Sequence, residues 1–250
     1  MPSHRFNRKQ GEFHHSHMAS PPALLLDLDG VVFRHPEASA LLHRRVERFV
    51  SIHARGQVSA SNASSTRVMA VHEGLYRHYG HTLLGLREAH GCSATVSDFN
   101  RFVFDATFLD AVRAMPMPLD FDRHAASVRD LVRHARNQRG ARVCIFTNAP
   151  RVWVRLALAA TGVWMPDADI LSGEVHVKPE AQAYALAQAA VGSDASVTFV
   201  DDAQLNLDRC PRLWRAVLFD DSPDPMEEGP SCARTGVRRV RSLEEVKDWI

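Results

Sequence analysis

The chain has 250 residues, of which 45% are hydrophobic and 24% are charged, a composition typical of a soluble globular protein. The 30 basic side chains nearly balance the 29 acidic ones, and a net charge of +1 provides no basic field for nucleic acid. The longest strongly apolar run, residues 23–26, is too short to cross a membrane. We therefore exclude a dedicated nucleic-acid binder and a membrane-spanning protein, and expect a cytoplasmic location.

The cysteines and the first 20 residues carry no further functional signal. Cys92, Cys144, Cys210 and Cys232 show no paired spacing, so neither a disulfide framework nor a structural zinc site is predicted. Residues 1–20 are basic and histidine-rich with almost no aliphatic side chains, which predicts a disordered tail. They contain no apolar segment of the kind found in a secretory signal.

The ordered chain is predicted to begin with a buried strand. Residues 23–26 are apolar and stand between a proline pair and Gly30, a pattern typical of parallel sheets. Asp27 and Asp29 follow at positions i and i+2, on the same face of an extended chain. Carboxylates so close repel each other unless a cation lies between them or one holds a proton. A strand-end turn with Gly30 at positive φ is the structural alternative at this point.

Further apolar strands alternate with helical patterns along the chain. Strands are predicted at residues 143–146, near 169–171, at 197–200 and at 237–241. Helices are predicted around 125–135 with Gly140 at the end, before Gly192, and after a capping box at Ser242. This alternation predicts an α/β fold with a doubly wound parallel sheet.

Polar residues follow several of these strands. Thr147-Asn148 comes after the second strand, and Asp201-Asp202 ends a later one. Lys178 precedes an alanine-rich helix. Because functional sites of such sheets lie at the carboxyl ends of the strands, we expect these side chains to meet Asp27 and Asp29 there.

Taken in order, these segments resemble the four motifs of the haloacid dehalogenase (HAD) phosphohydrolase superfamily. The matching segments are Asp27-Leu28-Asp29-Gly30-Val31, Thr147-Asn148, Lys178-Pro179 and Asp201-Asp202-Ala203-Gln204-Leu205-Asn206. The resemblance runs from Leu24 to near Ile250. It implies a Rossmann-like core and a magnesium-dependent mechanism through a phosphoryl-aspartate.

A second resemblance is more specific. Residues 76–86, together with residues 146–149, resemble the pyrimidine 5′-nucleotidase branch, in which a Tyr-Gly-x-Thr-x-x-Gly-Leu segment is typical. After Asn148 that branch often carries an aromatic-basic pair and then a histidine. This chain instead has Pro150, Arg151 and Trp153.

The superfamily resemblance implies a role for each motif residue. Asp27 would be the nucleophile. Asp29 would protonate the leaving alkoxide and then deprotonate the attacking water. Thr147 and Asn148 would bind phosphate oxygens, and Lys178 would neutralise charge on the transferring group.

The implied cofactor is magnesium. Its ligands would be Asp27, the backbone carbonyl of Asp29, and Asp202, with Asp201 as a second ligand or an outer partner and Asn206 as a further outer partner. Each motif alone has a structural alternative, such as a helix cap, a surface lysine or an acidic helix start. The four motifs together favour catalysis.

Residues 34–117 lie where the superfamily inserts a cap. Three apolar helical stripes are predicted there: Leu42, Val46, Phe49 and Val50; Val68, Val71, Leu75 and Tyr79; Phe99, Phe102 and Val103. We predict a helical cap over 34–117, containing a mobile loop between 52 and 67, and a catalytic core over 21–33 and 118–250. Tyr79 and Thr82 are the predicted substrate contacts of the cap.

The predicted function is a magnesium-dependent phosphomonoesterase that acts on nucleoside 5′-monophosphates, with UMP or CMP preferred. The alternatives are a phosphatase or phosphomutase acting on small sugar phosphates, and a non-catalytic protein of the same fold that binds a ligand or partner. Dehalogenases of the superfamily need no metal and lack the acid at the position of Asp29, so Asp29 favours a phosphatase. The predicted partner is a small phosphate ester, and the sequence does not predict an oligomeric state.

Overall fold

The computed structural model describes residues 21–54, 65–221 and 236–250. In these residues the strands are β1 (Pro22–Leu26), β2 (Arg142–Phe146), β3 (Ile170–Leu171), β4 (Ser196–Asp201), β5 (Arg215–Phe219) and β6 (Arg238–Val240). All pair in parallel in one sheet of order β3-β2-β1-β4-β5-β6. The predicted α/β fold with a Rossmann-like doubly wound parallel sheet is therefore confirmed.

Strand β1 lies at the centre of the sheet, between β2 and β4. Leu24 and Leu26 belong to the hydrophobic cluster on one face, while Ala23 and Leu25 belong to the cluster on the other face. Successive side chains of a strand point to opposite faces, so a strand covered on both sides must be apolar throughout. This explains the uninterrupted apolar run that predicted β1.

Between β1 and the second strand the chain first forms a group of helices, which we name the helical insert. It consists of α1 (Pro36–His53), α2 (Ser65–Tyr79), α3 (Thr82–His90), α4 (Val96–Val103) and α5 (Ala106–Arg113). The apolar stripes predicted for this region fall on α1, α2 and α4, and most of their members are buried. The loop predicted between 52 and 67 is bounded by α1 and α2, and its residues 55–64 lie outside the described ranges.

The remaining helices cover the two faces of the sheet. They are α6 (Phe121–Arg139), α7 (Arg151–Thr161), α8 (Ala181–Val191), α9 (Gln204–Arg209) and α10 (Leu243–Val246). Helices α6, α7 and α10 pack with the helical insert on the face of Leu24, whereas α8 and α9 pack on the face of Leu25. Gly140 ends α6 in the left-handed conformation, and Ser242 opens α10 with a capping box, as predicted.

Strand β5 was not among the predicted strands, although its residues 216–219 are all buried. The predicted tail at residues 1–20, and residues 222–235 before the last strand, lie outside the described ranges. Among the described helices, none combines the length and the apolar character needed to cross a membrane.

Candidate functional site

The turn after β1 brings two aspartates to the edge of the sheet. The Asp27 N–H donates to the Val200 carbonyl at 2.9 Å, so Asp27 extends the pairing of β1 with β4. Gly30 has φ +84°, and a Cβ at this position would lie 2.0 Å from Oδ2 of Asp202. Only glycine therefore allows the turn to approach the end of β4 so closely. The predicted motif Asp-x-Asp-Gly is thus explained by the geometry of the turn.

Lys178 lies at the centre of the polar cluster. Its side chain is 1% exposed, and Nζ donates to Asp27 Oδ1 at 2.7 Å, to Asp201 Oδ2 at 2.7 Å and to the Phe146 carbonyl at 2.8 Å. An ammonium has three donors, and all three are used. A buried charge requires such partners to offset its desolvation, so Lys178 holds the ends of β1, β2 and β4 together.

The two acids at the end of β4 have different surroundings. Asp201 is fully buried, and besides Lys178 it accepts hydrogen bonds from the Ala203 N–H at 2.8 Å and from Asn206 Nδ2 at 3.1 Å. Asp202 lines the adjacent cavity, and its carboxylate has no hydrogen bond within the described residues. Asp202 is therefore the acid that is available to a ligand.

Negative charge exceeds positive charge at this edge of the sheet. Burial raises the pKa of Asp27 to about 7; Lys178 lowers it and Asp201 raises it again. Burial also raises the pKa of Asp29 to about 6, and a hydrogen bond from Trp153 limits the shift. Although the Asp202 side chain is exposed to the cavity, desolvation there and then the repulsion of Asp27 and Asp201 raise its pKa well above its usual value. One ammonium does not compensate for these carboxylates.

The residues present fit a divalent cation. Carboxylate oxygens of Asp27, Asp201 and Asp202 lie within 4.8 Å of one another. Oδ1 of Asn206 is buried beside them and has no partner in the described part of the chain. Hard oxygen donors of this kind are the ligands that magnesium and calcium take in proteins. The acidic cluster that the sequence predicted is therefore present and offers oxygen ligands.

Thr147 and Asn148 follow β2 and line the same cavity. The Thr147 hydroxyl is buried and accepts from the Ala149 N–H at 3.2 Å. Both polar atoms of the Asn148 side chain pair with the backbone of Lys178, at 2.9 Å to its carbonyl and 2.6 Å to its N–H. The Asn148 side chain thus clamps the Lys178 segment. Because the side chain is engaged in this way, the predicted contact of Asn148 with phosphate would come from its backbone N–H.

A cavity of about 550 Å³ opens above these residues, with walls formed by the helical insert. Thr82 lines it, as the sequence-based expectation requires of a substrate contact. Tyr79 does not line it; its ring packs over Gly85, where a Cβ would lie 2.7 Å from Tyr79 Cδ2. Tyr76, one turn earlier on α2, lines the cavity instead. The structure therefore offers Tyr76 and Thr82, and not Tyr79, to a ligand.

Two neutral histidines form part of the cavity wall. Burial lowers the pKa of both His72 and His81 to about 4. Nδ1 of His72 lies 3.0 Å from the Thr82 hydroxyl, and Nδ1 of His81 accepts from the Leu83 N–H at 3.2 Å. Because His81 accepts at Nδ1, its neutral ring carries the proton at Nε2. The wall is thus polar and uncharged at these positions.

Trp153 is the site residue that sequence reasoning missed. Its indole Nε1–H donates to Asp29 at 2.9 Å to Oδ1 and 3.2 Å to Oδ2. The sequence feature that could have indicated Trp153 is its position three residues after Pro150, on the buried face of α7. The neighbouring Arg151 points elsewhere, since its guanidinium donates to the carbonyls of Asp167 and Ile170.

The chain is similar to known proteins in sequence pattern and in fold. A model of the haloacid dehalogenase-like hydrolase family matches residues 21–207, well over half of the chain. A crystal structure of a dehalogenase with an intermediate complex is similar at 16% identity and TM-score 0.51, covering 93% of this chain and 98% of that one. An L-2-haloacid dehalogenase gives 15% identity and TM-score 0.47, with 92% and 99% covered. At 16% identity the likeness to the first of these structures is one of fold. No curated protein matches the sequence.

Proposed function

The chain belongs to the haloacid dehalogenase-like hydrolase family, and from this premise we propose that it is a magnesium-dependent phosphomonoesterase acting through an aspartyl-phosphate. The observation that carries the proposal is the carboxyl of Asp29, which lines the cavity two residues after Asp27. Breaking a phosphate ester of an alkyl alcohol requires a proton donor for the alkoxide, whereas a departing halide requires none. An acid at this position therefore favours ester hydrolysis over dehalogenation.

The proposed reaction has two steps. Lys178 occupies Oδ1 of Asp27, so Oδ2 attacks phosphorus and forms the acyl-phosphate bond while the ester P–O bond breaks. Asp29 gives its proton to the departing alkoxide. In the second step water attacks the phosphoryl group, Asp29 takes the water proton, and the P–O bond to Asp27 breaks to release inorganic phosphate. Asp29 ends the cycle protonated again.

The other residues position the nucleophile and neutralise the charge of the phosphate. Lys178 keeps Asp27 from rotating, and Asn148 fixes the backbone that carries Lys178. The Thr147 hydroxyl and the Asn148 backbone N–H are the proposed phosphate donors. Asp27, Asp202 and the Asp29 backbone carbonyl would hold magnesium, with Asp201 as an outer partner or second ligand, and the ion would supply positive charge to the phosphate oxygens.

The charges of the cavity support a monophosphate with an uncharged alcohol. Among the described residues, Lys178 is the cation that lines it, while Glu47 and Glu73 lie on its helical walls. A second phosphate or a carboxylate on the substrate would meet these acids without a counter-charge. Tyr76 and Phe99 offer aromatic faces, and His81 offers a neutral N–H donor. A nucleoside 5′-monophosphate, with UMP or CMP preferred, is the proposed substrate.

We propose further that the helical insert acts as the cap of this site. The cap would comprise residues 34–117 and the catalytic core residues 21–33 and 118–250. Residues from α1, α2 and α4, such as Leu42, Tyr76 and Phe99, line the cavity above the acids of the core. A helical cover of this kind admits a small organic phosphate and excludes water while the ester bond breaks.

The experiment compares kcat/KM for p-nitrophenyl phosphate, UMP, CMP, AMP, GMP and several sugar phosphates. We expect p-nitrophenyl phosphate to be hydrolysed and the pyrimidine nucleotides to be preferred over the purine nucleotides. Asp27→Asn should retain less than a few per cent of the turnover, because an amide is not a nucleophile. Asp110→Asn is the matched control, since Asp110 is exposed on α5 and pairs with Arg113.

Each part of the proposal can fail separately. Substantial turnover by Asp27→Asn would exclude covalent catalysis through that residue. A tenfold or greater preference for a sugar phosphate over UMP would keep the phosphatase and discard the nucleotidase. Failure of the wild-type protein to hydrolyse any phosphate ester would remove the phosphatase itself.

A further inference from the structure

Asp29 has a single side-chain partner within the described residues. The indole N–H of Trp153 donates to both of its oxygens, at 2.9 and 3.2 Å, across 124 positions of sequence. Trp153 is 1% exposed and lies in the first turn of α7, directly after the β2 loop that carries Thr147 and Asn148. The hydrogen bond therefore connects Asp29, in the turn after β1, to the helix that follows the loop of Thr147 and Asn148.

The indole ring is fixed on three sides by other aromatic rings. Its centroid lies 5.3 Å from that of Phe33 in an edge-to-face arrangement at 88°. The ring centroids of Phe108 and Phe104, in the helical insert, lie 5.2 and 6.1 Å from the centroid of Trp153. Phe33 itself closes the turn that holds Asp29, because its carbonyl accepts from the Gly30 N–H at 3.0 Å. Close packing of this kind leaves the ring one orientation.

An indole N–H can only donate a hydrogen bond. When Asp29 carries a proton, that proton cannot form a hydrogen bond to Trp153, so it must be directed away from the indole. The terminal torsion of an aspartate is otherwise broad, and nothing else in the described residues holds the carboxyl plane. The side of Asp29 away from Trp153 is available to the cavity, which Asp29 lines.

We propose that Trp153 is the positioning residue of the general acid Asp29, and that its N–H directs the Asp29 proton towards the leaving group of the substrate. This inference rests on the proposed phosphatase function. The opposing interpretation is that Trp153 only fills the core and satisfies its N–H with the nearest acceptor. The two interpretations differ in what the loss of the N–H does to leaving groups that need a proton.

The test uses two phosphate esters and two tryptophan variants. p-Nitrophenolate leaves without a proton, whereas the alkoxide of a nucleoside 5′-monophosphate or another alkyl phosphate does not. The constant kcat/KM reports the steps up to alcohol release and excludes the later hydrolysis of the phosphoenzyme. Trp153→Phe keeps a buried ring and removes the N–H. Trp214→Phe is the matched control, because Trp214 is 3% exposed and donates to Gln188, on the other face of the sheet.

We expect Trp153→Phe to lower kcat/KM by roughly tenfold or more for the alkyl ester and by less than about threefold for p-nitrophenyl phosphate. Trp214→Phe should lower the two values equally, if at all. Replacement of Trp153 by 3-benzothienylalanine, which has the shape of tryptophan with sulfur in place of N–H, should give the same selective loss without changing the packing. This analogue also decides the matter if Trp153→Phe fails to fold.

Equal losses for both esters with the analogue, or no loss, would overturn the positioning role while leaving the phosphatase intact. Absence of hydrolysis of both esters by the wild-type protein would instead overturn the proposed function, and this inference with it. The two failures are therefore distinguishable by the wild-type measurement alone.

Discussion

At the scale of single residues, neighbouring side chains of one type have different environments. Asp201 and Asp202 are adjacent, yet Asp201 is enclosed by Lys178, Ala203 and Asn206 while Asp202 faces the cavity. The cause is the alternation of side chains along β4 and its continuation. We infer that Asp201 orients Lys178 and that Asp202 is the acid available to a cation. His81 has both a structural position and a position at the cavity, because its ring caps α3 and also lines the cavity.

The first prediction concerns His81 and pH. Burial, and then the nearby charges of Arg87 and His72, lower its pKa to about 4. Between pH 6.5 and 4 the unfolded chain therefore binds a proton that the folded chain does not, and stability falls as the pH falls. For one such histidine the loss between pH 7 and pH 5 is about 2 kcal/mol. His81→Asn keeps an acceptor for the Leu83 N–H but cannot titrate. Between pH 7 and pH 5 the variant should therefore lose less unfolding free energy than the wild type, by about 2 kcal/mol.

Urea unfolding at pH 7 and pH 5 measures this difference. The matched control is His78→Asn, because His78 is exposed at the end of α2, three residues before His81. That variant should show the wild-type dependence on pH. An unchanged dependence in His81→Asn would show that His81 is not held neutral in the folded protein.

At the scale of elements, one turn of the helical insert packs against the segment that carries Lys178. Gly80, between α2 and α3, has φ +72°, and a Cβ there would lie 2.8 Å from Cδ of Pro179 and 3.1 Å from Leu205. Pro179 follows Lys178 directly, so this turn packs against the segment that positions the lysine. The glycine of the Tyr-Gly-x-Thr segment thus has a physical explanation in backbone conformation and close approach.

The second prediction uses two glycines in the same backbone conformation. Gly91 ends α3 with φ +61°, and a Cβ there would meet nothing within 4 Å. Gly91→Ala should therefore cost only the left-handed strain, roughly 1–2 kcal/mol. Gly80→Ala should lower the free energy of unfolding by at least about 1 kcal/mol more than Gly91→Ala does, because Pro179 must move. It should also lower kcat/KM, because Lys178 shifts with Pro179.

Denaturant unfolding and activity assays of both variants give the comparison. Gly91→Ala should keep wild-type activity. Equal destabilisation of the two variants, with equal activities, would contradict the coupling of this turn to the Lys178 segment.

The same elements show how far sequence predicts structure here. Strands such as β1 and β2 are local apolar runs, so their ends, and the polar residues that follow, could be predicted. Which residue of α2 lines the cavity depends on the rotation of that helix about its own axis. In the structure this residue is Tyr76, whereas the sequence predicted Tyr79. The hydrogen bond between Trp153 and Asp29 joins distant positions, and no periodicity indicates it. Local signals therefore predicted the acids of the site, and packing determined its walls.

At the scale of the whole molecule, the concentration of acids at one edge of the sheet opposes folding. Asp27 and Asp201 contact the ammonium of Lys178, and repulsion among these two acids, Asp29 and Asp202 disfavours the folded state. A cation that binds only the folded protein stabilises it by mass action, by about 2.7 kcal/mol at a concentration 100 times its Kd. If the chain binds magnesium as proposed, its stability and its metal binding are therefore coupled.

The third prediction tests that coupling. Magnesium should raise Tm and EDTA should lower it, while activity is lost with EDTA, restored by magnesium and inhibited by excess calcium, which is larger and accepts more ligands. Asp202→Asn removes one uncompensated charge, so without metal its Tm should equal or exceed that of the wild type. Its Tm should also no longer respond to magnesium.

Thermal unfolding of both proteins in EDTA and in magnesium provides the measurement, with Asp110→Asn as the control that keeps the response. A lower Tm of Asp202→Asn in EDTA would mean that the acids do not repel one another in the folded state. Full activity in a thoroughly chelated sample would remove magnesium from the proposal.

The buried ammonium has a consequence for the chain's amine chemistry. Of the 30 basic residues, only Lys9, Lys178 and Lys247 are lysines, and the other 27 are arginines. A planar guanidinium would not fit between three oxygens at 2.7–2.8 Å above the rings of Phe146 and Phe199, whereas a compact ammonium does. Side-chain amines are thus scarce in this protein, and one of the three is sealed from solvent. An acylating or alkylating reagent can reach that nitrogen only after the ends of β1, β2 and β4 have separated.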